Sequence, residues 1–115
     1  MSHKSRSSMA AKQRAHAPAF AALGDETRLS LVAKLCGGQP RSISQLTKGS
    51  KLTRQAITKH LRVLESVGMV HSVRTGRESR FEFDPEPMEE MKKYLDLASE
   101  QWDQALSRLK SFVEN

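Results

Sequence analysis

A chain of 115 residues with one cysteine, Cys36, and a formal net charge of +6 suits a single small domain, long enough to bury roughly two-thirds of its unfolded surface. A lone cysteine excludes an internal disulfide and offers no CxxC or Cys/His cluster of metal-ligand spacing. No apolar run approaches the ~20 residues of a membrane span and no signal-peptide core is visible, so a cytoplasmic protein without membrane attachment is expected.

The charge is unevenly placed. Residues 39–80 carry nine Arg or Lys against only Glu65 and Glu78, a net +7, whereas residues 81–115 carry −5. One middle segment thus concentrates positive charge, as a phosphate-binding surface requires. The opening "MSHKSRSSMAAKQRA" is basic, Ser-rich and poor in large apolar residues, so residues 1–17 are expected to be a disordered basic tail and residues 18–115 the folded domain.

After Pro18, Ala19 to Leu23 reads as a short helix. Asp25 can cap the next, whose Leu29, Val32, Ala33 and Leu35 recur at helical spacing before Gly37 and Gly38 stop it. Cys36, at the apolar end of that helix, is expected to be a buried structural residue rather than a redox sensor, having no resolving partner in the chain. Ser42 to Gln45 has the Ser-x-x-Gln form of a capping box and starts a brief helix through Lys48. Thr53 caps a longer helix in which Ile57, Leu61, Leu64 and Val67 share one side, while Arg54, Gln55, Thr58, Lys59 and Arg62 point the other way. A solvated helix face mixes both signs of charge; this one has no acid before Glu65. Two helices joined by a tight turn over residues 42–67 make a helix-turn-helix pattern.

Met69 to Arg74 and Glu78 to Phe83 read as strands around a three-residue loop, Thr75-Gly76-Arg77. That odd loop length would place Val73 on one face with Phe81 and Phe83 and put Arg74 and Arg80 on the outer face, with Arg77 at the tip. Such a basic hairpin after a helix-turn-helix is a wing. His71, in its first strand, reads as structural.

Asp84 and Pro85 then open a terminal helix expected over about residues 86–114. Its Met88, Met91, Leu95, Ala98, Trp102, Ala105, Leu109 and Phe112 are spaced alternately three and four apart, an a/d seam of more than three heptads that Leu106 and Val113 widen. A helix so long on so small a domain has more apolar length than one core covers. Met91, Leu95, Ala98, Trp102, Ala105, Leu109 and Phe112 are therefore expected to pair two copies into a homodimer. The fold class is mainly α with a small β-hairpin wing.

Three blocks, "ALGDETRLSLVAKL", "LTRQAITKHLRVLESVGMV" and "VRTGRESRFEFDPEP", resemble the ArsR-type winged helix-turn-helix transcriptional repressors, the second being the most specific. The resemblance covers about residues 18–114. It implies a dimer, formed by terminal helices, that sets one recognition helix per subunit into the major groove of double-stranded DNA at a pseudo-palindromic operator. The contact set would be Thr53, Arg54, Gln55, Thr58, Lys59, His60, Arg62, Arg74, Arg77 and Arg80. For His60 the helical wheel leaves a packed, hydrogen-bonded histidine open beside the DNA role.

Two departures matter. Metal-sensing members often carry Cys-x-Cys where this chain has Ser42-Ile43-Ser44, or ligands on the terminal helix, where residues 85–115 contain no His. A metal-independent branch is expected, without cofactor. Lys51 also stands where many relatives have Gly, with Gly49 two places earlier. A sequence-tolerant architectural or RNA-binding protein is the alternative, opposed by the scarcity of aromatics free for base stacking. A coiled-coil adaptor would leave the +7 segment idle, and no nucleophile–base pair, paired carboxylates or phosphate-cradling loop suggests an enzyme.

Overall fold

The computed structural model describes residues 2–114, and the side chains of residues 9–114. The elements are α1 (Ser2–Leu23), α2 (Glu26–Leu35), β1 (Arg41–Ser42), α3 (Ile43–Thr47), α4 (Arg54–Ser66), β2 (Val70–Thr75), β3 (Glu78–Phe83) and α5 (Glu86–Glu114).

Local chemistry starts the three middle helices. The Asp25 carboxylate accepts from the Arg28 backbone N–H at 3.0 Å, and Thr53 Oγ1 accepts from Ala56 N at 3.1 Å. Ser42 and Gln45 form the reciprocal box, with Ser42 Oγ accepting from Gln45 N at 3.2 Å and Gln45 Oε1 from Ser42 N at 2.8 Å. Each cap satisfies backbone donors that the first turn of a helix leaves without partners. Between α3 and α4 the chain reverses at Gly49, whose φ of +79° only glycine adopts cheaply. Gly49 thus supplies the turn that Lys51 could not.

Helix α1 begins at Ser2, where a disordered tail was expected over residues 1–17, and continues through Pro18. Alanines at 10, 11, 15 and 17 make helix cheap there, and α5 gives the helix something to lie on. Tyr94 of α5 meets the His16 ring at 5.4 Å and the Phe20 ring at 5.9 Å between centroids.

The core lies where α2, α4 and the sheet converge. Leu31, Leu35, Leu46, Ile57, Leu61, Leu64, Met69 and Val70 are fully buried, and Ala19, Ala22, Val32, Phe81 and Met91 close around them. Cys36 does not join them. It is exposed just past the last turn of α2, where its backbone N–H bonds to the Val32 carbonyl, so its expected burial is corrected.

The sheet is antiparallel in the order β1-β3-β2, β1 being a short strand that the sequence did not announce. Its register corrects the expected wing. Thr75 pairs with Glu78 and the turn has two residues, Gly76 and Arg77, with φ of +64° at Gly76 and no positive φ at Arg77, which is the type II′ arrangement. Val70 therefore opposes Phe83 and Ser72 opposes Phe81, while Val73 pairs with Arg80 on the other face. Val70, fully buried, sets the parity that had been ascribed to Val73. Arg74 and Arg80 consequently lie on opposite faces of the hairpin rather than together.

Asp84 Oδ1 accepts from Glu86 N at 3.0 Å as α5 starts, and Met88 and Met91 pack onto the core. Beyond Ala98 the residues of the helix through Glu114 are exposed, Trp102 at 69% and Phe112 at 82%.

Candidate nucleic-acid interface

The first two turns of α4 carry the groove-reading candidates. Arg54, Gln55 and Lys59 are exposed, whereas Ile57, Leu61 and Leu64 anchor the opposite side of the helix in the core. Thr58 is half-buried and its Oγ1 donates to the Arg54 carbonyl at 2.7 Å. With its hydrogen so engaged, that hydroxyl can only accept from a base amino group, and its methyl remains able to meet a thymine methyl. Thr53 is exposed, but its side-chain oxygen serves as the helix cap.

Arg62 is exposed and pairs with Glu65 at 3.3 Å, while the other Glu65 oxygen accepts from the Ser72 hydroxyl at 3.0 Å. Glu65 thus ties the end of α4 to the wing and competes for Arg62, a cation of the expected contact set. Within the wing, Arg77 sits exposed at the tip, Arg74 is exposed with Nε 3.4 Å from the Gly76 carbonyl, and Arg80 is half-buried and paired with Glu78 at 3.2 Å. Charge on the hairpin is therefore concentrated at its tip and on the Arg74 side.

His60 is turned away from the outward row of Gln55, Lys59 and Arg62. Its Nδ1 lies 3.1 Å from the Arg28 guanidinium and 3.7 Å from the Asp25 carboxylate, and its side chain is 24% exposed. The packed, hydrogen-bonded reading is the one the geometry displays. The Arg28 backbone N–H, joined by the charge of Arg28, holds the Asp25 carboxyl below its ordinary range. Asp84 is likewise lowered, by the Glu86 backbone N–H and then by His71, whose Nε2 lies 2.8 Å from it.

The predicted pairing seam divides in two. Met91 is buried in its own core and so is unavailable to a partner; Ala98 is half-buried; Leu95, Trp102, Ala105, Leu109 and Phe112 are exposed, as are Leu106 and Val113. A groove lined by Met9, Gln13, Tyr94, Ala98 and Trp102 runs between α1 and α5. Among the described residues there is no group of three or more His, Cys, Asp or Glu placed to hold a metal ion, and no helix is long and apolar enough to cross a membrane.

Sequence reasoning missed two parts of this arrangement. Neither Arg28 nor Glu65 carried a signal, because each acts through a partner on another element. Only the apolar neighbourhood of His60 hinted that its ring is packed.

Comparison with known proteins gives consistent results. Residues 23–73 match a family model described as a helix-turn-helix domain. The chain is 38% identical over 80 residues to the uncharacterized HTH-type transcriptional regulator YuzN of Bacillus subtilis, an alignment covering 64% of this chain and 87% of that protein. Among solved structures, an ArsR-like transcriptional regulator from Rhodococcus sp. RHA1 superposes with a TM-score of 0.74 at 35% identity, covering 86% of this chain and 92% of that one. The homodimeric winged helix-turn-helix DNA-binding domain of Mb0332 from Mycobacterium bovis shares the fold, with a TM-score of 0.61 at 21% identity over 86% of this chain and 88% of that one.

Proposed function

Because the chain belongs to the ArsR-type winged helix-turn-helix transcriptional regulators, we propose that it acts as a homodimeric, metal-independent repressor reading a pseudo-palindromic operator. The observation that carries this is the outward face of α4, where Arg54, Gln55 and Lys59 stand exposed on a helix whose other face is wholly buried. Arg54 can donate two hydrogen bonds to a guanine edge, Gln55 can pair with adenine, and Thr58 can accept from a base or meet a thymine methyl. Lys59 and Arg62 neutralise phosphates beside the groove. Arg77 and Arg74 extend the contact to the flanking backbone or minor groove, and Thr53 and Arg80 serve mainly as cap and wing brace.

Dimerisation would use the exposed apolar side chains between Leu95 and Val113, a surface that a second copy of the helix can cover; the Mb0332 domain, which shares the fold, is homodimeric. Repression follows where the operator overlaps a promoter and the bound dimer excludes polymerase. Metal independence rests on the donor set: Ser42 and Ser44 supply no thiolate, and α5 contains no His.

Selection of bound duplexes from a random-sequence DNA library tests the reading. A two-fold sequence should be recovered, with affinity unchanged by zinc or a chelator. Recovery of no consensus, or equal retention of RNA, would replace it with a sequence-tolerant binder.

A further inference from the structure

Arg28 joins three elements. Its Nε donates to the Ala22 carbonyl near the end of α1, its Nη1 lies 3.1 Å from His60 Nδ1 on α4, and its own backbone N–H is held by Asp25 at 3.0 Å. The 3.1 Å contact defines the state of the His60 ring. A guanidinium nitrogen can only donate, so Nδ1 accepts and the hydrogen of the neutral ring resides on Nε2. The Asp25 carboxylate, 3.7 Å from Nδ1, is too distant to hydrogen-bond to it, and its bond to Arg28 is to the backbone N–H.

This contact differs in kind from the rest of the α4 seat. Ile57, Leu61 and Leu64 fix the depth of the helix by burial, yet apolar contact is non-directional and leaves small rotations about the helix axis inexpensive. A charge-assisted hydrogen bond from a side chain anchored at the Ala22 carbonyl, on a residue whose backbone N–H is held by Asp25, has a direction and a length. It also connects α4 to α1, which in turn lies against Tyr94 of α5 through His16 and Phe20.

We propose that Arg28 and His60 form a positioning latch that sets the rotation of α4 against α1 and α2, so that discrimination between bases depends on two residues that read none. The inference rests on α4 being the base-reading helix. It uses the Arg28 charge inside the protein rather than on a phosphate, and it gives His60 a role through Nδ1 rather than at the DNA.

The test compares the parent with Arg28→Met, His60→Leu, His60→Asn and the Met/Leu double variant. Each is titrated with the duplex selected from a random library by the parent protein and with an unselected duplex of equal length. Arg28→Met and His60→Leu should each lower the ratio of selected to unselected affinity about tenfold, and the double variant should fall no further than either alone. His60→Asn, whose amide oxygen can replace Nδ1 as acceptor, should stay within about threefold of the parent. This variant also keeps the test decisive should the leucine variant fail to fold. Losses that multiply in the double variant, or an Asn loss as large as the Leu loss, would overturn the latch. Gln55→Ala, titrated alongside, separates the two layers. A loss confined to the selected duplex upholds base reading by α4 and leaves the latch to its own result, whereas equal losses on both duplexes overturn α4 as the reader and the latch with it.

Discussion

Arg54 and Gln55 occupy the first turn of α4, immediately after the Thr53 cap, where a helix entering a groove brings its side chains nearest the base edges. Neither makes a side-chain hydrogen bond to another residue among the described contacts, so a groove partner displaces nothing within the protein. Alanine at either position should cost ~1–3 kcal/mol on the selected duplex and much less on random DNA, measured by paired titrations. Arg77 differs because it stands at the wing tip, away from α4, where no base partner is proposed for it. Arg77→Ala is expected to weaken binding to all sequences and to lower the salt slope by about 0.9, one phosphate's worth. Glu65 supplies the opposite case: it is the only acid on the outer half of α4 and holds Arg62 at 3.3 Å. Glu65→Gln keeps an acceptor for Ser72 while releasing Arg62, and should tighten binding to every duplex, most at low salt. Unchanged affinity would place Arg62 away from the phosphates.

Among the elements, the helix-turn-helix depends on Gly49 for its turn. A Cβ there would meet nothing within 4 Å, so Gly49→Ala tests the backbone alone and should destabilise the fold by roughly 1–2 kcal/mol in thermal unfolding, with Asn better tolerated. Acid sensitivity belongs to helix ends as well. Asp25 and Asp84 both titrate below their ordinary value in the folded chain, so each stabilises the protein above the unfolded carboxylate pKa of about 4 and loses that contribution as pH falls through the lower folded value. The double variant Asp25→Asn, Asp84→Asn should therefore lose less melting temperature than the parent between neutral pH and pH 3. What could be read ahead of the structure was this local chemistry. The caps at Asp25, Ser42 and Thr53, the two-faced α4 and the presence of a hairpin all follow from residues within four or five positions of one another. The wing register was not legible, because it turns on whether Val70 or Val73 meets the core, which burial at a distance decides. Likewise Arg28 and His60 meet across 32 residues of chain, and the point where α5 changes from core helix to exposed seam, between Met91 and Leu95, depends on how far the domain extends beneath it.

At the scale of the whole molecule, the longest helix ends in a row of exposed apolar side chains, Trp102, Leu106, Leu109, Phe112 and Val113, which the proposed dimer would cover. Two-fold pairing along α5 would cover that row and present two α4 helices about one DNA turn apart, ~34 Å, so the half-sites of the selected sequence should be centred ~10 bp apart or a multiple of it. Trp102 is the place to break the pairing without disturbing the domain. At 69% exposure its side chain supports little of its own core, so Trp102→Glu should leave the unfolding of an isolated chain nearly unchanged. In a paired seam the same substitution would bury two carboxylates without partners, at a cost of several kcal/mol. Sedimentation should then find monomers, and those monomers should bind the full selected duplex no more tightly than half of it. A variant that remains dimeric with full affinity would show that the copies meet elsewhere, and would leave the exposed end of α5 needing another partner.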